Sequence, residues 1–441
     1  MALWVKNRPG EDLVVRGARV VDPVDGIDAV LDVRVDAGTI SEVAPQVDAD
    51  GHRVVDGTGL VLAPAFVAPH VHLRTPGRED EETIATGTAA AAAGGFCAIL
   101  AMPNTDPVVD SAATLGALVD TAGREAEVQV GFLAAITRNQ AGEELTEMGE
   151  LADAGAVAFS DDGMPVASAA LMRRALQYSS VTGRILALHC EEPTLSRGAH
   201  VHEGVVAAEL GFAGYPSVAE SVDVERNLAL AAYEGQPLHI LHLSAAESVA
   251  ALRRAREAGV RASGEVTPHH LVLTDEAVRS LDPNVKMNPP LRADSDRVAL
   301  LAALRDGTIE AIATDHAPHA RHEKEVPFEA APFGVTGLET AFAALYTHLV
   351  VPGLLPLETL LERMSAGPAR IFGLDRPRIA PGAAASFVLL DLERAWIVGD
   401  EPFRSRSENS WLLGERLTGA VALTVAAGVV AFEQAAVAGR A

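Results

Sequence analysis

His70 and His72 stand one residue apart in Pro69-His70-Val71-His72-Leu73-Arg74, at the end of the apolar run from Gly59 to Val67. Strand alternation puts both imidazoles on one face, and two imidazoles side by side at a strand end are half of a metal site. Arg74 continues that face and offers a planar cationic fork for a carboxylate. Alone, the pair is a weak signal, because two histidines and an arginine also mark an ordinary strand leaving a core. Further ligand types recur at comparable places: Asp161-Asp162, His189, His242 and Asp315 each follow an apolar, strand-like run. Four imidazoles and two carboxylates brought together would hold two divalent metals, with zinc the best match to the ligand types. Spacing alone does not separate Asp161 from Asp162.

The elements that must position these groups are legible. From residue 62 onward, apolar strands alternate with helices. After the strand that ends at His70, strands are expected at 96–102, 128–133, 156–160, 184–188, 238–241, 260–266 and 309–314. Helices are expected between them, among them 81–93, 111–124, 217–233 and 296–305. The alanine run in 81–93 reads as helix, since alanine is the best helix former and Gly94-Gly95 closes the run. About eight such units imply an α/β fold, a parallel (β/α)8 TIM-like barrel, whose strand ends converge on one C-terminal mouth. An open doubly wound sheet is disfavoured, because no glycine-rich phosphate loop follows the first strand. Short strand-like pieces flank the barrel at both ends, and are expected to pair into one small β-sandwich, residues 1–61 with 376–441, beside a barrel of residues 62–375. There is no internal repeat, and no disordered tail is expected.

With 441 residues, 49% hydrophobic and 22% charged, the chain can bury a large core. A formal net charge of -25 argues against sequence-independent binding to nucleic acid or to an anionic membrane. A site for an anionic substrate must therefore concentrate its own positive charge. No run is long and apolar enough to span a bilayer, and residues 1–9 lack the apolar stretch of a signal peptide. Two cysteines, Cys97 and Cys190, are too few for a disulfide framework and fit a reducing cytoplasm. The only lysines are Lys6, Lys286 and Lys324.

These residues carry a resemblance to the amidohydrolase superfamily, and within it to the class I dihydroorotases. Besides His70-Val71-His72-Leu73-Arg74, it rests on Met102-Pro103-Asn104-Thr105, Phe159-Ser160-Asp161-Asp162-Gly163 and His189-Cys190-Glu191-Glu192. It continues through Val266-Thr267-Pro268-His269-His270-Leu271, Lys286-Met287-Asn288-Pro289-Pro290-Leu291-Arg292, Ala313-Thr314-Asp315-His316-Ala317-Pro318-His319 and Ala331-Pro332-Phe333-Gly334. The stretches appear in the family's order and span the barrel. The resemblance implies that His70, His72, Asp162, His189, His242 and Asp315 are the metal ligands, with Asp162 bridging two zinc ions per subunit. It implies that Arg74, Asn104 and His319 hold a substrate carboxylate, and that Asn288 and the backbone of Phe333-Gly334 contact the ring. The reaction implied is the reversible cyclisation of N-carbamoyl-L-aspartate to L-dihydroorotate, in pyrimidine biosynthesis. Two metals would lower the pKa of a shared water toward about 7, and Asp315, ligand and base, would carry its proton to the leaving nitrogen. A homodimer and a complex with aspartate transcarbamoylase are the partners the resemblance brings into view.

Relatives acting on other cyclic amides, such as dihydropyrimidinases, bridge their metals with a carbamylated lysine at the fourth strand. No lysine lies between Lys6 and Lys286, so that bridge cannot form. Two alternatives are weighed. A hydantoin, allantoin or dihydrouracil hydrolase would leave Arg74 without a substrate carboxylate. A catalytically inactive paralogue, serving as a structural partner of aspartate transcarbamoylase, need not hold zinc. The chain departs from the family at Ala65 and Ala68, where a glycine and an aspartate usually precede the first histidines, and at Ala385-Ser386, where an Ala-Asp pair is common. A lost aspartate at 68 would remove a partner of a ligand, which typically costs about 10–100-fold in metal affinity. His239 and Cys190 are expected to face away from the site by alternation, His269 and His270 to be structural hydrogen bonders, and His200, His202, His322 and His348 to lie in loops or on helix surfaces.

Overall fold

The computed structural model describes residues 2–435. Residues 436–441, where no disorder was expected, lie outside the described residues. The barrel strands are β1 (Phe66–Val71), β2 (Phe96–Ala101), β3 (Gln129–Ala134), β4 (Ala158–Phe159), β5 (Leu186–Leu188), β6 (Leu238–Ile240), β7 (Ala262–Val266) and β8 (Ala311–Ile312). They pair in sequence order, each parallel to the next. The ring closes just past the end of β1, where Val71 bridges His316 in parallel and His72 N–H donates to His316 O at 2.8 Å. Parallel strands covered on both faces are largely apolar, and every residue of β1, β2, β5 and β7 is buried, with His70, Ser263 and Glu265 the polar ones among them. β4 and β8 are shorter than their apolar runs suggest. Their ladders nevertheless continue through Ser160 N–H to Ala134 O (2.9 Å) and Ala313 N–H to Val266 O (3.0 Å).

The expected helices are present with the terminal chemistry the sequence supplies. The helix Ile84–Ala93 starts at Thr83, whose hydroxyl accepts from Thr86 N–H in a reciprocal capping box, and ends at Gly94. Ser111 and Ser168 cap Ala112–Glu125 and Ala169–Thr182 by a single bond each, their hydroxyls accepting Thr114 N–H and Leu171 N–H.

The head and tail segments join through Val61–Pro64, antiparallel to Phe387–Ile397. Together they form one eight-stranded sheet, with Leu13–Asp22 at its branch point. Alternation divides the two faces of this sheet. Leu62, Phe387 and Leu389 pack with Leu13, Val15, Val33 and Leu423 in the unit's own core. Val61, Ala63, Val388 and Leu390 turn the other way, into the barrel's core. The β-rich unit is thereby fixed to the barrel by its own strand periodicity. Between Phe387–Ile397 and Arg416–Ala426 the chain leaves the sheet, and residues 404–410 run to the barrel mouth.

Candidate metal centre

Six side chains project from the C-terminal ends of β1, β4, β5, β6 and β8, and all are buried. Asp162 stands between two pairs of imidazoles. Its Oδ2 lies 3.6 and 3.5 Å from Nε2 of His70 and His72. Its Oδ1 lies 3.7 Å from His189 Nδ1 and 3.5 Å from His242 Nε2. Asp315 completes the first pair, with Oδ1 at 3.3 and 3.2 Å from the same nitrogens of His70 and His72. His189 Nδ1 and His242 Nε2 face each other at 3.0 Å. The residues therefore form two ligand groups that share Asp162.

This set fits metal ions. His70 Nε2 and Asp162 Oδ1 are buried without a hydrogen-bond partner, a costly state for polar atoms unless a cation takes their lone pairs. Atoms spaced 3.2–3.7 Å around a common point have the separation of ligands that each lie about 2.0–2.2 Å from one ion. The local field has the matching sign. Burial pushes the His70 imidazole down, but Asp315 and Asp162 more than offset it and hold it well above its usual range. His189 is likewise lowered by burial yet raised to about 10 by Asp162 and Glu191. Burial raises Asp162, and the facing rings of His70, His189 and His242 bring it well below the carboxylate range. The cage thus stabilises positive charge at its centre.

The choice between the adjacent aspartates follows from geometry. Asp161 accepts Ile136 N–H (2.7 Å) and Thr137 N–H (3.1 Å), which ties the loop after β3. Burial moves its carboxyl up to about 6, and it does not face the rings. Asp162 does.

Carboxylates behind the cage orient its rings. Glu265 on β7, fully buried, accepts from His70 Nδ1 at 2.9 Å and from His239 Nε2 at 3.0 Å. Burial raises its carboxyl, and the two imidazoles bring it down to about 2. A ring whose Nδ1–H is committed in this way presents Nε2 as a lone pair. Glu191 does the same for His189 Nε2 (2.9 Å) and is itself held by Asn288 Nδ2 (3.1 Å). His72 Nδ1 meets Asn104 Oδ1 at 2.8 Å.

Ala68 leaves His70 with a partner in this arrangement, because Glu265 supplies one from β7, two strands away in the ring. His239 is a packed strand residue, but it is buried beside Glu265 rather than turned away from the site. Alternation fails here because β6 ends at Ile240 and His242 adopts a left-handed backbone (φ 29°). His270 bonds Thr267 Oγ1 (2.7 Å) and Pro289 O (3.0 Å), a structural role. Cys190 turns outward, toward Asn227 on the helix Val218–Glu234.

The expected substrate contacts lie at the same mouth. Arg74 Nε donates to Pro318 O at 3.1 Å and lies 3.0 Å from Glu81 Oε2. His319 Nε2–H donates to Phe333 O at 2.7 Å, and its Nδ1 lies 3.4 Å from Glu81 Oε1. Gly334 (φ 117°) admits no side chain, since a Cβ there would lie 2.6 Å from Ala317 Cβ. Its N–H is committed to Lys286 O (2.9 Å), whereas the Phe333 and Gly334 carbonyls each keep a second lone pair. Asn288 Oδ1 is buried and without a partner. Asn104 also turns Nδ2 toward Asp162 Oδ2 at 3.4 Å, so it braces the cage as well as facing the mouth. A cavity of about 630 Å³ opens elsewhere, between Phe342, Trp396, Phe403 and Phe432, and contains no cage residue. Sequence reasoning missed Glu265, Glu191 and Glu81. A lone carboxylate inside the apolar strand β7 was the available signal for the first.

Comparison with known proteins agrees with this geometry. The Dihydro-orotase-like family model matches residues 59–248. A dihydroorotase of Pelotomaculum thermopropionicum is 45% identical over 96% of this chain and 98% of its own. Those of Geobacter metallireducens and Geotalea daltonii are 43% and 46% identical, over 96% and 95% of this chain and 100% and 99% of theirs. Among solved structures, an L-hydantoinase from Arthrobacter aurescens superposes with a TM-score of 0.86 at 27% identity, covering 96% of each chain. A dihydropyrimidinase from Brevibacillus agri (TM-score 0.83, 23% identity, 96% of this chain and 95% of that one) shares the fold. The chain is a metal-dependent enzyme of amidohydrolase architecture, and it belongs to the dihydroorotase family.

Proposed function

We propose that this chain interconverts N-carbamoyl-L-aspartate and L-dihydroorotate, at a centre for two zinc ions held by His70, His72, Asp162, His189, His242 and Asp315. The observation that carries the reading is a cage whose shared ligand is an aspartate, with every lysine engaged elsewhere. Lys6 pairs with Glu127, Lys286 Nζ donates to the carbonyls of Phe328, Glu329 and Ala331, and Lys324 Nζ to those of Pro283 and Pro332. A lysine-derived bridge has no source, and Arg74 gives a ring carboxylate its counter-charge. Both points favour dihydroorotate over hydantoin, allantoin or dihydrouracil.

When bound, zinc lowers the pKa of a water toward about 7 and polarises a carbonyl. The remaining work belongs to side chains. Arg74 offers its Nη pair to the substrate carboxylate, with Asn104 and His319 beside it. Asn288 Oδ1 accepts a ring N–H, and the Phe333-Gly334 carbonyls line the ring. Asp315 keeps Oδ1 toward His70 and His72, and takes on Oδ2 the proton of the attacking water. It returns that proton to the ring nitrogen as the C–N bond breaks. Closure of the ring runs the same steps backwards.

Two free, buried cysteines are compatible with a reducing cytoplasm. A homodimer and a transcarbamoylase complex rest on the resemblance alone, and light scattering with and without the transcarbamoylase tests both. The decisive experiment purifies the full chain, quantifies zinc and follows both directions of the reaction. Turnover with zinc bound is expected. Zinc-replete protein inert in both directions would overturn the reading, and efficient turnover of hydantoin or dihydrouracil would replace it.

A further inference from the structure

The segment 404–410, from outside the barrel, is bonded along the mouth residue by residue. The N–H groups of Arg404 and Ser405 donate to Glu339 at 3.0 Å. Ser405 Oγ donates to Glu82, Arg406 N–H to Glu82 Oε1 (3.2 Å), and Ser407 Oγ to Glu81 O (2.7 Å). The run ends at Asn409, which is 6% exposed and uses its whole amide. Its Oδ1 accepts His319 N–H at 3.0 Å, and its Nδ2 donates to Ala317 O (3.1 Å) and Gly334 O (3.2 Å). The amide orientation is fixed, because a flip would set donor against donor at His319 and acceptor against two carbonyls. Its own carbonyl accepts Thr336 N–H at 3.0 Å.

Two irregular loops, residues 313–320 after β8 and residues 331–336, meet here through a single parallel bridge between His316 and Val335, in which Ala317 N–H donates to Val335 O at 2.9 Å. Buried backbone groups in such loops need partners. Asn409 supplies one acceptor and two donors between them. The His319 ring then closes the circuit through Phe333 O. Beyond that one bridge, the spacing between His319 and Phe333-Gly334 is held by a side chain that belongs to neither loop.

We infer that Asn409 is a positioning residue for the carboxylate end of the substrate site, acting through His319 and Gly334. The inference rests on the proposed reading of His319 as a carboxylate contact. It assigns the β-rich unit a part in substrate recognition, since its excursion to the mouth carries the clamp.

The test is steady-state kinetics of zinc-loaded, full-length Asn409→Ala and Asn409→Asp, with L-dihydroorotate and with dihydrouracil, which has the same ring and no carboxylate. Asn409→Asp keeps the acceptor for His319 N–H and loses both donors in nearly the same volume, so it guards against simple misfolding of the alanine variant. Loss of the clamp is expected to raise KM for L-dihydroorotate about tenfold, the equivalent of one net hydrogen bond. Bound zinc and kcat should stay near wild type, and the preference over dihydrouracil should shrink. Arg404→Ala, which removes an exposed guanidinium over the Phe432 ring from the same segment and touches neither loop, should leave KM unchanged. Unchanged KM and preference in both Asn409 variants would overturn the inference. So would an equal rise in KM for Arg404→Ala, or loss of zinc and kcat with KM unchanged. Failure of the underlying reading has a different signature: wild-type enzyme would then hydrolyse dihydrouracil as readily as L-dihydroorotate.

Discussion

Arg74, His242 and Asp315 share an uncommon property among non-glycine residues: each holds a left-handed backbone, with φ of 56°, 29° and 46°. Such conformations cost roughly 1–3 kcal/mol each and persist only where their surroundings impose them. At strand ends that turn side chains into one mouth, they free the direction of a ligand from strand alternation. Asp315 is the most demanding of the three, because it faces two imidazoles and, in the proposed mechanism, also moves a proton. Asp315→Asn retains the shape and loses the base. The expected result is a kcat lowered by about 10²–10⁴-fold, with much of the zinc still bound, measured by kinetics beside metal analysis. Wild-type rates would exclude the role. Glu265 makes a separate prediction. Glu265→Gln removes the charge that fixes His70 Nδ1–H, so zinc affinity should fall about 10–100-fold in chelator competition, while KM at saturating zinc changes little. If affinity is unchanged, His70 is oriented by packing alone.

At the scale of elements, the barrel was legible because its strands are buried on both faces and its helices carry ordinary caps, so period and punctuation agree. The ends of β4 and β8 were less so, since apolar residues continue beyond the paired ones. The bracing carboxylates were hidden for a different reason. Glu265 acts on His70 and Glu81 acts in part on His319, both distant in sequence, and nothing local marks those partners. Asn409 lies in a run without periodicity, and only the meeting of two loops gives it meaning. His239 shows how alternation misleads once a left-handed residue ends a strand. Helix-to-loop packing gives the prediction at this scale. Gly94 has φ −83°, open to any residue, yet a Cβ there would lie 2.0 Å from Leu338 O. The constraint is space, not backbone conformation. Gly94→Ala should therefore lower stability by about 1–3 kcal/mol, seen as a lower urea midpoint with KM unaltered. An unchanged midpoint would mean that the 338–340 backbone yields freely.

The whole molecule opposes its own ligand. A formal charge of -25 surrounds a mouth whose cations are Arg74 and Arg78, both paired with Glu81. No helix among the described residues is long and apolar enough to cross a membrane. The surface charge acts on approach. N-carbamoyl-L-aspartate carries two carboxylates and L-dihydroorotate one, so long-range repulsion disfavours the open substrate more. The contacts at Arg74 are short and partly desolvated, hence weakly screened. The field of the exposed acids extends over a Debye length, about 10 Å at 0.1 M salt and about 30 Å at 0.01 M. Raising the salt between those limits should therefore remove repulsion faster than it weakens the clamp. The expected outcome is a rise in kcat/KM for both substrates, several-fold larger for N-carbamoyl-L-aspartate, because steering scales with ligand charge. Arg74→Gln should leave that salt dependence in place while lowering kcat/KM at every ionic strength. A fall in kcat/KM with salt would mean that the cationic mouth, rather than the acidic surface, governs encounter.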